Sequence, residues 1–389
     1  MTLLLGVEFR ASCLHLTLID RRGEWLGDWS EPLAVPVDEW WGCHPEEYFR
    51  TLIAALDQRV RVGDLRPGRV AAIGLVADPG VVVLDRELAP IHPRELPWLD
   101  YSAAKLAPNG ASPTSKRIDL AAALRELPAR EPRLRPRIGV VFSVLDYVRY
   151  RLCGALSTHV SFAWASGLVE PPVATRWNTD RLIDLGYRTE CFPPVFDATI
   201  NVGNVSRDLV ERFGFSAGTK VNAGSESLSA RLLVVGEPAP GLRVAMTRDA
   251  SFDAPFETFR VAKAPEVWSP TDVPVVPPDF WYERTVDGAL PSRNGAQLDL
   301  PAGAKWLLDA AEPQRAESGP TEVTGDVRIA ADAGRPTSGA AIQAGIGLGW
   351  WRDLRTLWRK KRAPRSYDDW RASLISTVAN DLARDEQAE

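Results

Sequence analysis

The segment from Leu3 to Trp25, LLLGVEFRASCLHLTLIDRRGEW, constrains the chain more than any other. Leu3, Leu4, Leu5 and Val7 run into Glu8-Phe9-Arg10-Ala11-Ser12, after which Leu14, Leu16 and Leu18 alternate with His15 and Thr17. An alternation of period two suits a half-buried strand, so the stretch predicts two apolar strands joined by a tight turn. Asp20-Arg21-Arg22-Gly23 turns the chain again, and Leu26 to Val37, interrupted by Pro32 and Pro36, supplies a third strand. A turn between two such strands can hold a phosphate group when its backbone N–H groups converge on one point.

The next segments extend this beginning. His44 to Val62 places Tyr48, Leu52, Ile53, Leu56 and Val60 at helical spacing, and Pro45-Glu46-Glu47 is a favourable first turn. Val70 to Val76 and Val81 to Leu84 are apolar runs of strand length, separated by Ala77-Asp78-Pro79-Gly80. Strand-strand-strand-helix-strand is the opening of the ribonuclease-H-like, actin-like α/β fold. In open α/β sheets ligands gather at strand ends, so the strand-end loops are where chemistry is expected.

With 389 residues the chain has room for two cores, which makes two domains the expectation. A net charge of −5 gives no reason to expect nucleic acid as a partner. The four cysteines, Cys13, Cys43, Cys153 and Cys191, show no C-x-x-C pairing and suggest neither a disulfide framework nor a zinc site. No apolar run is long enough to span a bilayer and no leader-like segment opens the chain, so a soluble cytoplasmic protein is expected.

Specific resemblance begins at Ala71 to Asp100, AAIGLVADPGVVVLDRELAPIHPRELPWLD, where strand, loop, strand and Trp98-Leu99-Asp100 follow in order. This succession resembles the FGGY family of carbohydrate kinases, which includes xylulokinase and glycerol kinase. Ser143 to Glu170 is similar to the family's D-Y-x-x-x-x-L-T-G run and following T-D-x-S-x-A-S segment. Asp146, Tyr147, Leu152, Gly154, Thr158, Ser161, Ala165 and Ser166 fall in place, with small shifts in spacing. Thr175-Arg176-Trp177-Asn178, Gly203-Asn204-Val205 and Ala217-Gly218-Thr219-Lys220-Val221 also sit where the family pattern has comparable residues. The resemblance covers residues 1 to 241 and implies the actin-like fold there.

It implies activity only if the parts for phosphoryl transfer are present. The family's first hairpin carries D-x-G-T-S, whose Asp helps hold Mg and whose Gly and hydroxyl residues let the backbone approach phosphate. Here Glu8 stands for the Asp, Arg10 for the Gly and Ala11 for the first hydroxyl residue, while Ser12 remains. Glu8 is thus the candidate metal ligand. Arg10 either obstructs the turn with a long side chain or neutralises phosphate charge. Asp78 and Asp100 are the candidate sugar-binding residues, although Asp78-Pro79-Gly80 also reads as a plain turn.

The family's catalytic base is an Asp in G-G-x-D or G-x-D after a V-x-x-G strand. This chain has Val221-Asn222-Ala223-Gly224-Ser225-Glu226-Ser227, with Glu226 the nearest acid and Ser227 at the base position in another register. The second phosphate loop, G-T-S-G in the family, becomes Arg248-Asp249-Ala250-Ser251, leaving Ser251 as its hydroxyl residue. Ala302 to Asp309 resembles a family helix, A-G-x-x-x-W-L-x-D. Ala341 to Leu354 resembles a later one, with Ala344 in place of its Glu. The G-G-G-x-x-S adenosine loop is not found in residues 355 to 389, and from Trp350 onward the chain reads instead as two polar helices, Trp350 to Arg362 and Tyr367 to Arg384.

The expected organisation is a sugar-side domain over 1–241, a reduced second actin-like domain over 242–349, and a Trp/Arg-rich helical segment over 350–389. Two functions follow. One is a catalytically degenerate binding or assembly component that needs no cofactor and accepts a sugar-like ligand. The other is a divergent sugar or polyol kinase using Mg-ATP, with Glu226 as base. Trp350, Leu354, Leu357 and Trp358 share one helical face beside a basic cluster. That face suits packing on the domain, a protein partner or self-association, or a membrane surface.

Overall fold

The apolar run Leu3-Leu4-Leu5-Gly6-Val7-Glu8-Phe9 is buried along its whole length, and this places it at the centre of a sheet. The computed structural model describes residues 1–10, 13–33, 44–77, 80–91, 96–97, 132–166, 168–170, 173–227, 230, 243–247, 256–261, 282–284, 304–308, 328–329, 336–351 and 365–366. Contacts divide the chain into two units. The first comprises Met1–Ala230 and Pro336–Arg352, with Val273–Pro277, and the second the remainder.

In the first unit β1 (Leu3–Phe9) pairs antiparallel with β2 (Cys13–Asp20), and β2 antiparallel with β3 (Trp25–Pro32). β4 (Val70–Ala77) lies parallel to β1 on its other side. A three-stranded antiparallel sheet joins β5 (Gly80–Leu84) to β6 (Leu96–Pro97) and β7 (Val140–Ser143). Two short pairs follow, β8 (Thr158–His159) with β11 (Val195–Phe196), and β9 (Val169–Glu170) with β10 (Val173–Trp177). β12 (Asn201–Asn204), β13 (Lys220–Asn222) and β14 (Ser225–Glu226) complete the main sheet, ordered β12-β13-β4-β1-β2-β3 with β14 also on β4.

Helices cover both faces of that sheet. The predicted helix is α1 (Pro45–Arg61), with Glu46 and Glu47 in its first turn and Arg59 and Arg61 in its last, as its dipole favours. Its cap is His44, whose Nδ1 accepts from the Glu46 N–H at 3.1 Å. α2 (Val144–Cys153) begins with a capping box between Ser143 and Asp146 and stops at Gly154, in the left-handed region at φ 73°. α3 (Val160–Ala165), α4 (Thr179–Asp184) and α5 (Arg207–Phe213) are short. Tyr48, Leu52 and Leu56 of α1 join Val144, Leu145 and Val148 of α2 in one core with Leu3, Leu5, Val7 and Phe9.

The opposite face carries α6 (Pro336–Gly347). The sequence groups this helix with residues 242–349, yet its contacts lie on the first unit's sheet. Gly6 and Gly74 are register partners on β1 and β4. A Cβ on Gly6 would stand 1.9 Å from the Thr337 carbonyl oxygen, and one on Gly74 1.9 Å from that of Ala340. Two bare positions side by side let the helix backbone rest on the strands. Thr17 Oγ1 meets Thr337 Oγ1 at 2.5 Å, and Gln343 Nε2 donates to Ser225 Oγ at 2.8 Å. Past Gly349, Trp351 is buried and its Nε1 donates to the Arg21 carbonyl at 3.1 Å.

The second unit has a six-stranded sheet ordered β17-β16-β15-β18-β19-β20. Its strands are β15 (Arg243–Thr247), β16 (Phe256–Val261), β17 (Tyr282–Arg284), β18 (Ala304–Leu308), β19 (Arg328–Ile329) and β20 (Arg365–Ser366). Three consecutive strands pair antiparallel, two more join parallel, and the last returns antiparallel. The spatial order and pairing match the path β3-β2-β1-β4-β13-β12, with the difference that β12 precedes its neighbour in the chain whereas β20 follows its own. The helix expected over 302–309 is corrected here: Ala304–Leu308 is β18, parallel to β15 and β19. A short apolar run such as Trp306-Leu307-Leu308 satisfies either period, and its place between two strands decided it.

Candidate functional site

The end of β1 carries the candidate turn. Arg10 N–H donates to the Cys13 carbonyl at 2.9 Å, which closes the link between β1 and β2. Register sets Glu8 opposite His15. Glu8, Arg10, Cys13 and His15 therefore form a two-by-two patch beyond the seat of α6. Glu8 is fully buried, and the Arg10 Nε lies 3.1 Å from its Oε1 with the Arg10 side chain 14% exposed. This is an ionic contact off the axis of a hydrogen bond, and neither Glu8 oxygen has an aligned hydrogen-bond partner among the described residues. Cys13 Sγ and His15 Nε2 are 3.0 Å apart.

The second approach to the site runs along β13 and β14. β13 pairs with β4 at Ala72 and Ile73, and β14 pairs with it at Val76 and Ala77. Between them the Leu75 N–H donates to Asn222 Oδ1 at 3.1 Å, so a side chain substitutes for a missing backbone partner. Gly224 turns the chain at φ 76°, where a Cβ would meet the Leu75 carbonyl at 2.4 Å.

Ser225 shares a row with Val76 and Glu8, and Glu226 one with Ala77 and Phe9. Strand alternation sends those rows to opposite faces. Ser225 accordingly reaches Gln343 on the α6 face, while Phe9 packs edge-on against Tyr48 of α1 at 5.7 Å. The structure thus brings Glu8 and Arg10 together but sets Glu226 on the other face from Glu8. Ser227 is buried just beyond Glu226.

Behind this strand lies a polar network that sequence reading missed as a unit. The Asp146 carboxylate accepts from Ser143 N at 2.8 Å, Thr158 Oγ1 at 2.6 Å and Arg149 Nη2 at 2.8 Å. Arg149 is fully buried and also donates from Nε to Ser157 Oγ at 3.1 Å and from its Nη atoms to the carbonyls of Ser157 and Ala223. The last bond fixes the residue preceding Gly224. His159 takes the Phe162 N–H on Nδ1 at 3.2 Å, leaving the proton on Nε2, which faces Ser143 Oγ at 3.4 Å. Burial, opposed by Asp146 and aided by Arg149, lowers its pKa to about 4. Burial and the Glu46 hydrogen bond raise the Tyr147 hydroxyl at the other side of α2 to about 12. The available signal was the pairing of an acid and Arg at helical spacing i, i+3 with no solvent-facing pattern around them.

Several expected positions lie outside the described residues: Ser12, Asp78, Asp100, the Arg248-Asp249-Ala250-Ser251 loop, Leu354, Leu357 and Trp358, and most of both terminal helices. Trp350 is described and not helical. Its ring stacks edge-on with Trp351 at 6.0 Å and lies 5.7 Å from the Arg21 guanidinium. Among the described residues, no three His, Cys, Asp or Glu side chains gather as a metal-binding group, and no helix is long and apolar enough to cross a membrane. The group to be tested at the turn is the magnesium that serves the nucleotide in kinases. A magnesium ion sits about 2.0–2.1 Å from a ligating carboxylate oxygen. The guanidinium at Glu8 Oε1 fills that surrounding with a fixed positive charge, so the residues present do not fit the metal.

Two sheets of the same strand order and pairing, each opening on a hairpin, define an α/β protein of the actin-like, ribonuclease-H-like class. No protein-family profile matches the chain. It is 22% identical to the xylulose kinase of Bacillus subtilis over 237 residues, covering 58% of this chain and 47% of that protein. The gluconate kinase of Lactobacillus acidophilus superposes with a TM-score of 0.67 at 12% identity, over 98% of both chains. The xylulose kinase of Rhodospirillum rubrum gives 0.55 at 18% identity, over 69% of this chain and 58% of that one. The chain thus resembles carbohydrate kinases in sequence over part of its length and shares their fold.

Proposed function

We propose that the protein has lost phosphoryl transfer and works as a binding or assembly component that accepts a sugar-like ligand. The observation that carries this reading is the ion pair of Glu8 with Arg10 at 3.1 Å, which places the chain's own cation at the phosphate turn. The row assignment of Glu226 supports it, because metal ligand and base must converge on one reacting phosphate. Asp78 and Asp100 are the residues proposed to meet sugar hydroxyls. Trp350, Leu354, Leu357 and Trp358 are the residues proposed for self-association or a protein partner. A cytoplasmic setting fits this role.

Isothermal titration with Mg-ATP and with a panel of sugars and polyols tests the reading. Sugar binding without ADP formation is expected, and saturable ATP binding with turnover would sink it. The second reading is a divergent kinase. It is favoured by the place of Glu226 at the end of a strand parallel to β4, where α/β sheets collect their ligands. It predicts ADP formation that Glu226→Gln abolishes while the fold is unchanged.

A further inference from the structure

The geometry points to Arg10 as a tethered replacement for the divalent cation, so that this turn excludes metal and presents its own positive charge. The inference rests on reading the β1–β2 link as the counterpart of a kinase phosphate turn. Glu8 has no exposure to water, and a buried carboxylate requires a counter-charge. Two kinds of cation can supply it. A divalent ion would need Oε1 or Oε2 as a ligand and oxygen atoms or waters around the rest of its sphere. Arg10 supplies the charge from two residues further along the chain, just past the end of β1, with Nε 3.1 Å from Oε1.

The two solutions exclude each other. An ion bound to this carboxylate would sit within a few ångströms of the guanidinium, in a place where water cannot screen the repulsion. The ion must also lose hydration, whereas Arg10 is held by the chain and loses little freedom in pairing. Among the described residues the two Glu8 oxygens have no aligned hydrogen bond, so the guanidinium balances charge without saturating the acceptors. That is the condition in which removing Arg10 leaves a ready-made carboxylate for a metal. The other groups in the patch are His15 and Cys13, whose Nε2 and Sγ stand 3.0 Å apart.

Manganese serves as the probe, read by water-proton relaxation enhancement on the full chain. Wild type is expected to show no enhancement that depends on Glu8. Arg10→Gly and Arg10→Gln are each expected to gain a site at least tenfold tighter, which a second change, Glu8→Gln, removes. Melting temperature gives a second readout: magnesium leaves wild type unchanged and raises the Arg10→Gln protein. Enhancement in wild type that Glu8→Gln abolishes overturns the inference. So does a folded Arg10→Gln protein that gains neither enhancement nor thermal shift. Catalytic turnover would sink the proposed function yet leaves this outcome open to its own measurement, since manganese binding is read without substrate.

Discussion

Among the described residues of the first unit, two fully buried carboxylates, Asp146 and Glu8, each face an arginine, and the two pairs are satisfied to different degrees. Asp146 and Arg149 are both fully buried, and their charges are met by Ser143, Ser157, Thr158 and the Ala223 carbonyl as well as by each other. Glu8 and Arg10 meet through one off-axis ionic contact at 3.1 Å, and Arg10 remains partly exposed. A saturated pair of this kind ties elements together, here α2 to the strand entering Gly224. A buried carboxylate at a strand end whose oxygens lack aligned hydrogen bonds among the described residues, as Glu8 does, is where a fold leaves capacity for a ligand.

That contrast can be broken most forcefully at Arg149. Arg149→Met should cost about 3–5 kcal/mol in urea unfolding, because Asp146 stays buried without its counter-charge. A cost below about 1 kcal/mol would mean that the network is not the framework described.

His159 sharpens the same side of the comparison. The fold holds it neutral, with a pKa of about 4 against 6.5 in an unfolded chain, so the unfolded state binds more protons between those values. The contribution is complete above pH 6.5 and is lost as pH falls through about 4. It amounts to about 3 kcal/mol. Asp146 and Arg149 are the charges that face the ring. His159→Gln should flatten the stability profile across that window, measured as denaturation midpoints from pH 7 to pH 4.

Gly6 lies in the row next to the turn side of β1, under α6. Gly6→Ala would press its Cβ on the Thr337 carbonyl and should cost about 1–3 kcal/mol by thermal unfolding. An unchanged melting temperature would show that the helix can lift without loss. The smallest effect is expected at the turn itself. Glu8→Gln should change stability by no more than about 1 kcal/mol, since it removes a buried charge and leaves Arg10 able to reach water. A loss equal to that of Arg149→Met would erase the distinction between the two pairs.

Much of the first unit was legible along the chain. Leu14, Leu16 and Leu18 alternate as β2 does, and Pro45-Glu46-Glu47 with the spacing of Tyr48, Leu52 and Leu56 marks α1. Glu8 and Arg10 were legible as a candidate turn because they replace residue types on which a phosphate turn depends. The pair of glycines under α6 was less visible. A lone Gly within LLLGVEF or VAAIGLVA signals a close approach without naming what approaches. Ala304–Leu308 was misjudged as helix because five residues contain too little periodicity.

By itself the sequence determined the local choices: which runs alternate, where helix α1 begins, and that the turn bears an acid and an arginine where a bare backbone is expected. Those follow from neighbours a few residues apart. Only tertiary structure decided that Gly6 and Gly74 lie side by side, that α6 seats on them from more than 250 residues away, and that Glu8 and Glu226 fall on opposite faces. Each of these depends on strand register, and a shift of one residue reverses the face on which every side chain lies.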